Sequence, residues 1–316
     1  MPRIMRQGLD KVKELLRSVK GILKEEPDTG QKLDEARRKL DKALEVMDRL
    51  PTLAASSLRE PDVTDIFGLS YDKRSPEIWK IDERDLIPVP EALLSRIEEM
   101  EKVRGIHPIN EATVRWRLDI ILQYCVRLEQ QRVADIDPTT SERPITLTAE
   151  TQLECRIMYK KQPVLLSGKA DYSIWYEDHG MSTNLVICEA KDLGHASIGI
   201  PQCLAYMGMV NDIRRREDRI NSMVYGCVTD GQGFTFLRID NDHKYSVWNS
   251  QRWDNGFPER DKIWTHLVRM TRCASALSPR TSVKKVHRAV DDTTRGQKHW
   301  RLHFGSSERS DEMMSM

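Results

Sequence analysis

The sequence has no long apolar run. Nothing in it approaches the about 18 uninterrupted apolar residues of a membrane-spanning helix. It also lacks a leader-like start: Arg3, Arg6, Asp10, Lys11 and Lys13 break up the region where a secretory signal would place its apolar core. Paired cysteines are missing too. The six cysteines, Cys125, Cys155, Cys188, Cys203, Cys227 and Cys273, show no paired spacing, and several fall inside apolar runs. That argues against a disulfide framework or a zinc finger and for buried thiols in a reducing compartment. Nor does one charge dominate. The chain carries 50 Lys and Arg against 49 Asp and Glu, a net charge of +1, so any affinity for nucleic acid has to come from local patches. The expectation is a cytosolic or nuclear protein that does not enter a membrane.

What is present is length and charge. The 316 residues suffice for one large domain or two modest ones, and 39% hydrophobic residues permit a sizeable core. The 31% of charged residues points to long exposed helices or tails. Residues 1–50 read as a helical hairpin. Val12, Leu15, Leu16, Val19, Ile22 and Leu23 form one apolar stripe, and Leu33, Ala36, Leu40, Ala43, Met47 and Leu50 form another near heptad spacing. Between them lies the turn Glu26-Pro27-Asp28-Thr29-Gly30. Such a hairpin either packs on the rest of the chain or joins two copies as a coiled coil. Residues 51–104 are interrupted by Pro51, Pro61, Gly68, Pro76 and Pro88, an ordered linker ending in a helix from Pro90 to Val103 that packs on the main domain. Residues 105–278 form that domain. Residues 279–316, with Arg280, Lys284, Lys285, Arg288 and Arg295 spread among Ser and Thr, read as a basic disordered tail, either inert or an arm for nucleic acid or nuclear import.

Within 105–278, Asn110 caps a helix running to about Gln131, with Val114, Leu118, Ile121, Leu122, Cys125 and Leu128 on its buried face. Ile145–Tyr159, Val164–Trp175 and Leu185–Lys191 have strand character. Met223–Val228 and Phe234–Ile239 are strands joined by the hairpin signal Asp230-Gly231-Gln232-Gly233. Tyr245–Trp248 is a short strand, and Pro258–Leu277 a closing helix. The fold class is α/β.

The chemistry gathers between Gly168 and Tyr206. Alternate residues of a strand share a face. Glu189 and Lys191 therefore point one way while Val186, Cys188 and Ala190 point into a core. Asp171, on the preceding strand, can lie beside Glu189 if the register allows. Two adjacent carboxylates repel and stay ionised only against a cation, and hard oxygen ligands with open positions suit Mg2+ or Mn2+. A helix beginning near Pro201 places Gln202 and Tyr206 on one face. Tyr206, spaced with Leu204 and Met209, reads equally as core. Lys169 shares the strand face of Asp171. Glu154 reads as solvent-exposed and His195 as a loop histidine. Arg214, Arg215, Arg216 and Arg219 either track phosphates or form a solvated face with Glu217 and Asp218.

Asp171, a hairpin, and then Glu189-Ala190-Lys191 resemble the signature of the PD-(D/E)xK nuclease superfamily, and Gln202-x-x-x-Tyr206 resembles the extra motif of its RecB-like members. The flavour is that of the nuclease-like domains of fungal Crinkler and spore-killer proteins, to which Asn110-Glu111-Ala112-Thr113-Val114 and Tyr225-Gly226-Cys227-Val228-Thr229-Asp230-Gly231 add. The likeness spans roughly residues 105–250, with Ala170 where the motif has proline. It implies a restriction-endonuclease-like core, a mixed central sheet flanked by helices, and a Mg2+-dependent endo- or exonuclease acting on nucleic acid, DNA more than RNA. Asp171, Glu189, the Ala190 carbonyl and Glu111 would hold the metal. Lys191 would orient the attacking water or meet developing negative charge, with Gln202 and Tyr206 facing the site. The alternatives are a catalytically inactive nuclease fold that binds nucleic acid or protein, and an unrelated α/β protein with an accidental motif.

Overall fold

A computed structural model of the chain describes residues 38–40, 50–105, 109–136, 145–176, 184–250 and 252–276, without the side chains of 176, 184–187 and 274–276. The expected N-terminal hairpin, apart from three helical residues at 38–40, and the basic tail lie outside the described residues.

The sequence order is β1 (Thr52–Ala54), α1 (Glu60–Phe67), β2 (Ser70–Tyr71), α2 (Ser75–Ile78), α3 (Glu91–Arg104), α4 (Glu111–Ile136), β3 (Ile145–Tyr159), β4 (Gln162–Tyr176), β5 (Asn184–Ala190), α5 (Ala196–Arg216), β6 (Val224–Thr229), β7 (Phe234–Ile239), β8 (Lys244–Asn249) and α6 (Glu259–Ala276). The strands form one eight-stranded sheet in the order β1-β4-β5-β6-β7-β8-β2, with β3 also pairing β4. The sheet is mixed. β1 runs parallel to β4, β5 to β6 and β2 to β8. The pairs β3–β4, β4–β5, β6–β7 and β7–β8 are antiparallel. The α/β class expected from the alternation of periods is therefore the one observed.

The segment read as a linker does more than cross the surface, because it supplies both β1 and β2. Strands of three and two residues have no period to read in a sequence. Their edges are fixed by backbone partners, such as Leu165 N donating to the Pro51 carbonyl at 3.0 Å and Ser70 N to that of His243 at 2.9 Å.

Two cores sandwich the sheet. On one side α5 packs Cys203, Leu204, Tyr206, Met207, Met209 and Val210 against Leu153, Leu166, Val228 and Leu237. On the other side α3, α4 and α6 pack Leu93, Ile97, Leu118, Ile121, Leu122, Ile263 and Trp264 against Cys188, Cys227, Phe234 and Phe236. Each fully buried aliphatic or aromatic side chain contributes about 1.5–3 kcal/mol. Helix α5 rides close on β6 because Gly226 has no Cβ: one built there would collide with the Met207 Sδ and come within 2.8 Å of the Cys203 Sγ.

Helix α5 begins at Ala196, not near Pro201, which instead lies inside it. Proline suits a first turn, and deeper in a helix it removes an i→i−4 bond and crowds the preceding turn; here the five residues before Pro201 are helical all the same. Helix α4 runs on past Gln131 to Ile136. Its N-terminus is capped as expected, with Thr113 N donating to the Asn110 Oδ1 at 3.0 Å. A second cap comes from far away: Glu111 N donates to the Asp192 Oδ1 at 2.8 Å. The β5–α5 loop is thereby fastened to α4. It is also fastened to the β6–β7 turn, where Gly194 N donates to the Asp230 Oδ2 at 2.8 Å.

The long β3–β4 hairpin changes sides along its length. Leu166 and Ala170 belong to the α5 core, yet Tyr172 and Ile174, of the same parity, belong to the opposite one. The roll falls at Asp171. Paired residues run Ala149↔Tyr172 and Thr151↔Ala170, so Glu150 faces Asp171 across the hairpin. Glu150 has φ 54°, left-handed backbone that a non-glycine residue adopts only at a cost.

Candidate active site

The roll in β4 and the end of β5 place the acids. The pair Tyr172↔Cys188 puts Asp171 across from Glu189. At that point the two strands have begun to part, and the Asp171 side chain takes over from the backbone ladder: its Oδ2 accepts from Ala190 N at 2.8 Å. Cys188 and Ala190 are fully buried in the helical core, as the parity argument requires, so Glu189 faces α5.

Helix α5 meets Glu189 there. The Gln202 Nε2 donates to the Glu189 Oε2 at 3.0 Å and contacts the Tyr206 hydroxyl at 3.1 Å. The Tyr206 hydroxyl donates to the Lys169 carbonyl at 3.2 Å, which ties the relay to β4. Tyr206 is thus both core and site, with 1% of its surface exposed and its hydroxyl in the polar cluster. The Lys191 Nζ stands 3.4 Å from the same Glu189 Oε2. Its aliphatic stem crosses α5 at Gly199, where a Cβ would come within 3.0 Å of the Lys191 Cε. Asp171, Glu189, Lys191, Gln202 and Tyr206 therefore converge on one end of the sheet.

The electrostatics are those of acids held out of water. Burial raises the Glu189 carboxyl to about 8, with the Asp171 charge adding to the rise and Lys191 opposing it. Burial raises Asp171 as well, against the lowering effects of the Ala190 N–H, Arg115 and Lys191. The Glu189 Oε1 is buried and has no hydrogen-bond partner. An orphaned carboxylate oxygen in a residue only 1% exposed is costly unless something positive completes it.

Glu111 comes to the site through an intermediary. The Arg115 Nη2 lies 2.9 Å from the Glu111 Oε1 and 2.5 Å from the Asp171 Oδ1, and its Nη1 lies 3.8 Å from the Glu150 Oε1. Tyr172 OH donates to the Arg115 carbonyl at 3.1 Å, holding this turn of α4 against β4. Arg115 was not among the residues singled out from the sequence. Its one signal, an acid four residues before it on a helix, is common on any helix surface. Lys169 pairs with Glu150 at 3.0 Å, the acid whose other oxygen lies 3.8 Å from Arg115.

Other candidates fall outside. Glu154 is exposed and bonded to Ser167 and Gln152. His195 is exposed at the start of α5. Of the arginines in this stretch, Arg214 is buried and donates to the Met223 carbonyl, the exposed Arg216 pairs with Asp212 at 2.5 Å, and Arg219, beyond the end of α5, pairs with Glu217 at 2.8 Å.

Among the described residues, no group of three or more His, Cys, Asp and Glu side chains stands ready to hold a metal ion. Two carboxylates are nonetheless a workable set for Mg2+ or Mn2+, which keep several waters and need only one or two protein acids. The buried, unpartnered Glu189 Oε1 beside Asp171 fits such an ion. No protein-family model and no curated protein matches this chain.

Proposed function

We propose that the protein is a metal-dependent nuclease of the PD-(D/E)xK kind, built on a restriction-endonuclease-like core and hydrolysing phosphodiester bonds of nucleic acid, DNA more than RNA. One observation carries the reading. A buried glutamate with an unpartnered oxygen lies beside a second buried acid, flanked by a lysine and braced by a glutamine–tyrosine pair.

Asp171, Glu189, the Ala190 carbonyl and Glu111 would hold Mg2+ or Mn2+, which supplies an activated water and offsets charge on the phosphorane-like transition state. Every other part is played by the chain itself. Lys191, 3.4 Å from the Glu189 Oε2, would offer a positive hydrogen-bond donor to the attacking water or to developing negative charge. Gln202 fixes the Glu189 carboxylate in one orientation, and Tyr206 fixes Gln202 against β4.

A second reading, a nuclease fold that binds nucleic acid without cutting it, draws on Arg115, whose guanidinium already satisfies Asp171. Incubation of the purified chain with plasmid, single-stranded DNA and RNA separates the two. The nuclease reading expects cleavage with Mn2+, none with EDTA and none from Asp171→Ala. Cleavage that survives EDTA or the substitution removes it, and Mn2+-dependent binding without cleavage selects the second reading.

A further inference from the structure

Arg115 is in an unusual position for a helix-surface arginine. One guanidinium touches acids from three elements: Glu111 of α4 at 2.9 Å, Asp171 of β4 at 2.5 Å and Glu150 of β3 at 3.8 Å. Asp171 is 7% exposed, whereas the Arg115 side chain is 36% exposed. The arginine thus reaches a buried acid from a half-open position. It is held there incompletely, since its Nε is buried without an acceptor. Glu150, the outermost of the three acids, sits on left-handed backbone directly across the hairpin from Asp171.

We propose that Arg115 is the internal counter-ion of this acid cluster, which an entering divalent cation displaces from Asp171 and Glu111 and which then binds the scissile phosphate. The inference rests on the nuclease reading above and deepens it. The cation and the guanidinium need the same oxygen, the Asp171 Oδ1, and both cannot approach it closely because like charges at that range repel. A released guanidinium has a planar fork suited to two phosphate oxygens. Its half-exposed side chain, pinned at the backbone by Tyr172, stays at the mouth of the site. Arg115 would therefore set the cation requirement before substrate arrives and touch substrate afterwards.

The test is titration of Mn2+ alone into the full chain, reading free Mn2+ by electron paramagnetic resonance, for wild type, Arg115→Gln, Arg115→Lys and Glu189→Gln. Thermal melts without metal show that each variant is folded. Removing the competitor is expected to tighten Mn2+ binding about fivefold in Arg115→Gln, the equivalent of one partly exposed ion pair. Arg115→Lys, whose ammonium cannot span two acids, is expected to fall between it and wild type. At saturating Ca2+, used to hold an oligonucleotide uncut, Arg115→Gln is expected to bind single-stranded DNA several-fold more weakly than wild type. Equal or weaker Mn2+ binding by Arg115→Gln overturns the inference. If Glu189→Gln alone abolishes Mn2+ binding in that case, the nuclease reading stands without it. If neither wild type nor Arg115→Gln binds Mn2+, both fail together. Unchanged DNA affinity at saturating Ca2+ overturns the phosphate-binding half.

Discussion

Glu189 is the residue at which stability and function pull in opposite directions. Its carboxylate is buried, its Oε1 has no partner, and the Asp171 charge stands close enough to raise it further. Lys191 and Gln202 meet only the other oxygen, at 3.4 and 3.0 Å. Folding of metal-free protein near neutral pH must either protonate Glu189 or bury its charge, and the neutral amide of Glu189→Gln escapes both costs. The variant is expected to be more stable than wild type in EDTA, by about 1 kcal/mol or more, and to lose Mn2+ binding. Denaturant titration checks this, and a variant less stable than wild type would show that Glu189 is a structural anchor. At this scale the sequence was informative where parity decides: Cys188 and Ala190 inward, Glu189 and Lys191 outward. It was silent on Arg115 and Glu150. An arginine four residues after a glutamate reads as an ordinary helix pair, and left-handed backbone at a glutamate leaves no mark in composition.

Among the elements, α5 holds the site in shape by resting on two glycines. At Gly168 of β4, a Cβ would come within 2.5 Å of the Tyr206 hydroxyl and 2.7 Å of its ring. Tyr206 is fully buried and has nowhere to retreat. Gly168→Ala is expected to cost about 1–3 kcal/mol of stability, the usual price of overpacking. It should also lower cleavage, because the displaced hydroxyl releases Gln202 and, through it, the Glu189 carboxylate. A cleavage rate unchanged in a destabilised protein would show that the Tyr206–Gln202 relay is only packing. The long elements could be read in advance. The β6–β7 turn is an example: Gly231 supplies φ 85°, and the Asp230 Oδ1 accepts from Gln232 N and Gly233 N. The start of α5 was misplaced because a proline in a first turn and a proline one turn further in leave the same trace. The edge strands β1 and β2 were hidden because their shape comes from partners far along the chain.

For the whole molecule, the helical core contains a titratable group that the site does not use. His266 of α6 is buried among Trp79, Phe236 and Trp248, with ring centroids 5.5, 5.1 and 4.4 Å away. Burial, with a smaller push from the Arg269 charge, holds its imidazole down at about 3. An unfolded histidine takes a proton below about 6.5. Between these values the unfolded chain binds the proton and the folded one does not. Stability is therefore expected to fall as pH drops below about 6.5, by up to about 1.4 kcal/mol per unit from this group. His266→Phe should flatten that slope, as melting temperatures taken across the acid range would show; an unaltered slope would assign the acid sensitivity to other groups. The α/β class followed from the order of periods and the mixed sheet flanked by helices was expected from the resemblance alone, while the position of the roll at Asp171, which builds the site, came from neither. Anomalous scattering from crystals soaked in Mn2+ tests that site most directly. The account predicts a peak about 2–2.3 Å from oxygens of both Asp171 and Glu189, with Arg115 withdrawn. A peak elsewhere, or none while Arg115 still bridges Asp171 and Glu111, would contradict it.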